Sequence, residues 1–98
     1  MNTKTDMIPL ATTFRSDGFD FLQIKRTGAV AMFSKRKPHW TRESIEVVIV
    51  QERKEHTWPN GMTSPAHEGM PGNEAWGDQG WTFSDLEAAN RKFYDLQP

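Results

Sequence analysis

The chain contains no cysteine, which excludes a disulfide framework, a thiolate metal site and a cysteine nucleophile. It also lacks any long apolar run. The longest aliphatic stretch is Val47-Val48-Ile49-Val50, against the ~20 residues a membrane-crossing helix needs, so no membrane partner is expected. No charge sign dominates: 12 Lys+Arg face 13 Asp+Glu, for a net charge of −1. That balance excludes a histone-like polycation and an acidic tail. The first residues, Met1-Asn2-Thr3-Lys4-Thr5-Asp6, have no apolar segment of the kind a secretory signal carries, and the cytoplasm is the expected compartment.

What is present suffices for one domain. The 98 residues include 28 large apolar side chains, ten of them Phe or Trp, each able to bury about 150–250 Å². Residues 1–8, polar and without period, read as a flexible leader to a single domain over 9–98. Charge is uneven along the chain. Residues 1–54 hold ten Lys/Arg against six Asp/Glu, and residues 55–98 hold two against seven. A polyanionic partner would therefore meet the first half, unless the two halves neutralise each other within the fold.

Alternation of apolar and polar residues predicts strands over 9–15, 19–26, 29–35 and 44–53. Ser16-Asp17-Gly18 and Thr27-Gly28 are the first two turns, and short connections imply an antiparallel meander. Around Thr27-Gly28 two registers are open. A two-residue turn sets Leu22 opposite Phe33, the preferred arrangement, and a three-residue turn sets Leu22 opposite Met32. Four consecutive β-branched residues at 47–50 mark the most buried strand.

Residues 55–80 have no period and carry Pro59, Pro65 and Pro71 with five glycines. Trp58 and Trp76 argue against disorder, so this reads as an ordered irregular loop lying on one sheet face. Trp81-Thr82-Phe83 adds a short strand. Ser84-Asp85-Leu86-Glu87 carries the capping-box spacing, and Leu86, Ala89, Phe93 and Leu96 recur on one helical stripe. The expected fold is α+β: an antiparallel sheet of four or five strands, a C-terminal helix on one face and a long Trp-rich loop.

The residues that bear chemistry are scattered. No serine lies in a G-x-S-x-G turn, and no phosphate-binding glycine pattern occurs. His39, His56 and His67 are separated by 17 and 11 positions, too far apart for the short-spaced pairs typical of zinc sites. No catalytic residue, metal or cofactor is assigned. The loop gathers Trp58, His67, Glu68, Glu74, Trp76 and Trp81, a candidate partner or ligand surface in which Trp76 and Trp81 sandwich the loop onto the sheet. Lys25, Arg26, Lys35, Arg36 and Lys37, with Trp40 and Arg42 nearby, are the candidate nucleic-acid surface, since phosphates draw clustered cations and unpaired bases stack on aromatics. Lysines on strand edges also prevent edge-to-edge pairing, which explains the same residues without a ligand.

The stretch Pro65-Ala66-His67-Glu68, Asn73-Glu74-Ala75-Trp76-Gly77 and Gly80-Trp81-Thr82-Phe83, running into Asp85-Leu86-Glu87, resembles the C-terminal half of small uncharacterised phage and bacterial accessory proteins. The resemblance covers residues 60–93 and implies an accessory role of phage or mobile-element origin, with no site residues attached. The expected function is a small non-enzymatic protein that binds another macromolecule, a protein first and nucleic acid second, as a monomer or weak homodimer. A small-ligand or hydrolase-like site in the Trp-rich loop is the third reading.

Overall fold

A computed structural model describes residues 7–97. Five strands form the main antiparallel sheet: β1 (Thr13–Ser16), β2 (Phe19–Thr27), β3 (Val30–Arg36), β4 (Ser44–Ile49) and, numbered last in the chain, β9 (Gly80–Phe83). Their order is β1-β2-β3-β4-β9, a meander through four strands closed by β9 on the free edge of β4. The helix α1 (Leu86–Asp95) packs on β3, β4 and β9. The fold is α+β, as the alternating strands and the single helical stripe predict.

Turn chemistry sets the first hairpin. Asp17 (φ 54°) and Gly18 (φ 83°) both take positive φ, the two-residue I′ pattern that matches strand twist, and Ser16 pairs with Phe19. The second hairpin adopts neither register expected from Thr27-Gly28. Its loop is Gly28-Ala29, with Thr27 opposite Val30 and positive φ at Gly28 alone, at 60°, which places Gly at the first loop position as a II′ turn requires. The ladder then slips at Ile24, so that Lys25 faces Met32, Gln23 faces Phe33, and Leu22 faces Ser34. An extra residue in one strand exchanges the faces on its two sides. Here it keeps Phe21 on one face while turning Arg26 to that same face and Lys25 to the other.

Two apolar layers cover β4, whose Ile45, Glu46, Val47 and Val48 are all buried. On the helix side Val30, Met32, Ile45 and Val47 pack with Ala89 and Phe93, flanked by Phe83 and Leu96. On the opposite side Phe21, Ala31, Phe33, Val48 and Val50 pack with Leu10, Phe14, Phe19, Met70 and Trp76. The helix stripe is three-quarters as expected: Leu86 is 49% exposed and lies outside the core. The cap also differs from the one the capping-box spacing predicts. Asp85, in extended conformation, accepts hydrogen bonds from the Glu87 and Ala88 backbone N–H groups, so the helix starts one residue later than a Ser84 cap would place it.

Residues 55–80 are more regular than their composition predicts. Strands β5 (Gln51–Arg53) and β8 (His67–Gly69) pair, and β6 (His56–Thr57) pairs with β7 (Thr63–Ser64). Together they make a two-stage hairpin arm extending beyond the main sheet. Every residue from 52 to 63 is exposed, and the radius of gyration is 15.1 Å, against about 13 Å for a compact chain of this size. A 3₁₀ turn, Asn73–Ala75, then leads Trp76 back onto the sheet. The first described residues brace the arm. Ile8, which falls within the expected leader, donates its N–H to Ala66 O at 3.1 Å and accepts from Glu68 N at 2.8 Å. Residues 1–6 of that leader, and Pro98, lie outside the described residues.

Candidate binding site

Among the described residues, two features stand out as candidates to engage another molecule, and they sit on different elements. The first is the arm tip. Trp58 and Met62 close the turn through Trp58 N–H to Met62 O at 2.8 Å, and Gly61 N–H to Trp58 O at 2.9 Å. Pro59 and Asn60 are the central residues, a Pro-first turn, and the Asn60 side chain accepts from Met62 N–H at 3.0 Å. Gly61 adopts φ 91°, which lets the chain enter β7. The tip therefore holds its shape through backbone bonds while Trp58 stays 50% and Met62 65% exposed. The His56 ring meets the Trp58 indole edge-on at 4.1 Å.

The second feature is a cleft of ≈ 280 Å³ between the sheet and the returning 70–76 segment. Phe14, Phe19, Phe21, Met70 and Trp76 supply its apolar walls. Phe14 and Phe21 stack in parallel at 4.8 Å. The polar side is a connected chain of hydrogen bonds. Trp76 Nε1 donates to Thr82 Oγ1 at 2.9 Å, Thr82 Oγ1 donates to Glu46 Oε2 at 3.4 Å, and Lys35 Nζ donates to the same oxygen at 3.0 Å. The side chain of Glu46 is 4% exposed, and a carboxylate this deep needs a paired cation. Lys35 provides it and lies 4.3 Å from the Phe19 ring centroid.

The loop-surface candidates do not converge. Trp76 lies over Gly80 on the cleft side of the sheet, whereas Trp81, opposite Val47, faces the helix side, where Lys92 Nζ sits 4.1 Å from its ring. The two tryptophans therefore do not sandwich the loop, because adjacent strand positions point to opposite faces. Trp58 is at the arm tip, His67 and Glu68 are in β8, and Glu74 is in the 3₁₀ turn. Glu68 is structural. Its two carboxylate oxygens take a bidentate pair of bonds from Arg26, both at 2.8 Å, and Oε1 also accepts from the Leu10 backbone N–H at 2.9 Å. The Arg26 guanidinium, helped by the Leu10 N–H, holds this carboxyl down at about 2, and Glu68 in turn raises Arg26.

The basic residues are divided in the same way. Lys25 points to the helix, where Nζ donates to Tyr94 OH at 3.1 Å and lies 4.8 Å from the Phe93 ring. Arg26 and Lys35 are in ion pairs on the opposite face. Arg36 donates to Trp40 O at 3.1 Å, and Lys37 lies 4.8 Å from the Phe19 ring. Trp40 rests edge-on against Phe19 at 5.4 Å, and Arg42 lines a shallow depression with Ile45 and Leu86. Adjacent strand positions separate Lys25 from Arg26, and the slip at Ile24 sets which of the two faces the helix.

Glu46, Thr82, Phe14 and Met70 went unread in the sequence as parts of one site. The available signal was Glu46, a lone carboxylate inside the apolar run Ile45–Val50, since a charge in a buried strand is retained only with a partner. Among the described residues, no helix is long and apolar enough to cross a membrane, and no group of three His, Asp or Glu side chains is placed to hold a metal ion. No family model matches the chain, and no match is found among curated proteins or solved structures.

Proposed function

We propose that this is a non-enzymatic cytoplasmic accessory protein that binds another protein through the tip of the β5–β8 arm. The observation that carries the reading is Trp58, half-exposed beside Met62 at the far end of a hydrogen-bonded hairpin. Tryptophan and methionine are enriched at the centres of protein interfaces, and Trp is among the residues whose truncation costs most there. Exposed on a tip, these two side chains add nothing to the chain's own core. The turn bonds fix the tip before contact, which lowers the ordering cost of association. The arm's stem, Glu52-Arg53-Lys54-Glu55, balances its charges and so offers no field to a polyanion. Lys25, Arg26, Lys35, Arg36 and Lys37 are each engaged within the fold, which ranks nucleic acid behind protein.

A photocrosslinking amino acid placed at position 62, compared with one at position 36 on the main sheet, tests this reading in cells. A discrete protein adduct should form from position 62 alone and disappear when Trp58→Ala is added. The absence of any discrete protein adduct, or equal adducts from both positions, rejects it.

A further inference from the structure

We propose that the cleft between the sheet and the 70–76 segment is a second binding site, independent of the arm. It takes a small neutral ligand built on a planar aromatic ring with a hydrogen-bond acceptor. The ring lies among Phe14, Met70 and Trp76, and the acceptor meets Nζ of Lys35.

Size sets the first limit. At ≈ 280 Å³ the cleft falls at the small end of ligand pockets, which run from about 300 to 1,000 Å³, so it holds one or two fused rings. The walls set the second. Two aromatic rings and a thioether favour a flat partner, since offset and edge contacts between rings, and sulfur at a ring edge, add to simple burial.

Charge sets the third limit, and it excludes both signs. An incoming cation would meet Lys35 at 4.3 Å and Lys37 at 4.8 Å from the Phe19 centroid, so the aromatic wall nearest the carboxylate already holds ammonium groups. An incoming anion would meet the buried Glu46 carboxylate and Asp17 at the rim. A neutral ligand meets neither penalty. Lys35 donates one N–H to Glu46, and an ammonium carries three, so donors are left for an acceptor on the ligand. Thr82 Oγ1 is bonded to both Trp76 and Glu46, which fixes the indole wall and the carboxylate together before a ligand arrives.

The test is a titration of the ¹⁵N-labelled full chain followed at the Trp76 indole N–H. Four probes separate the chemistries: acetophenone, cyclohexyl methyl ketone, benzylammonium and benzoate. Acetophenone should shift the resonance saturably with a Kd of about 1 mM or tighter, as its size allows. The other three should bind at least about tenfold more weakly. Equal binding of cyclohexyl methyl ketone would reduce the cleft to a plain apolar groove and overturn the proposal. Tighter binding of benzylammonium or benzoate, or no saturable shift by about 10 mM acetophenone, also overturns it. Ser16→Phe, on an exposed rim residue, should block acetophenone. The double change Lys35→Met with Glu46→Gln removes both charges together and should weaken acetophenone about tenfold. Unchanged binding in either folded variant rejects the site, and if the double variant does not fold, Ser16→Phe decides.

Discussion

Gly80 is where a single hydrogen atom decides the local structure. A Cβ there would lie 2.6 Å from the Trp76 ring, closer than any real carbon contact, and an indole cannot bend away as a flexible chain can. Gly80→Ala should therefore cost about 1–3 kcal/mol, as overpacking does, and expel Trp76 toward solvent. The denaturant midpoint and a red shift of tryptophan fluorescence measure the two effects. Because the cause is one contact, Trp76→Leu in the same chain should recover part of the loss, a non-additivity expected of touching residues. Glu68 offers a second test. Its folded pKa, about 2, lies below the ordinary carboxylate value near 4.3. The stabilisation is therefore complete above that ordinary value and is lost as pH falls from there toward 2. Glu68→Gln should cost about 1.5–3 kcal/mol at neutral pH, and the difference from wild type should shrink as the buffer is acidified across that window.

At the scale of elements, the helix separates side chains that look alike in sequence. Phe93, 2% exposed, should cost about 3–5 kcal/mol when changed to Ala, whereas Leu86, 49% exposed, should cost no more than about 0.5. Asp85→Ala should cost about 1 kcal/mol and Ser84→Ala clearly less, since the cap bonds run from Asp85. Urea melts of the four variants check all of these. What was legible followed from hydrophobic period: the meander strands, the burial of Val47, Val48 and Val50 within the β-branched run 47–50, and the core stripe Ala89-Phe93-Leu96. Two kinds of feature were not. The slip at Ile24 leaves no trace in alternation, because both candidate registers keep apolar residues facing each other. The arm strands carry no large apolar side chain, so residues 51–57 and 63–69 have no apolar alternation to read. Their one signal was Pro59-Asn60-Gly61, a turn sequence between two polar runs. The cleft was legible only in parts. Trp76 stood out, but its partners come from β1, β2, β3, β4 and β9, and only the strand order brings them together.

At the scale of the whole molecule, tip and body should be separable. Trp58→Ala with Met62→Ala should leave stability within about 0.5 kcal/mol of wild type, while Trp58→Ala alone should abolish the crosslink from position 62. An oligonucleotide titration should show little or no affinity, without the salt slope of about −2 to −4 that three to five freed phosphate contacts would give. The arm has a further consequence for the order in which the chain folds. β4 and β9 are neighbours in the sheet, yet Val48 pairs with Gly80 across an excursion of 31 residues. Closing so long a span costs entropy that grows with its logarithm, about 0.6 kcal/mol for each doubling. Zipping β5 onto β8 and β6 onto β7 first removes most of that span through contacts that are themselves local. Refolding rate should then respond to the arm's inner stem: loosening Gln51–Arg53 against His67–Gly69 delays the arrival of β9, and the helix that follows it can dock only after β9 is in place.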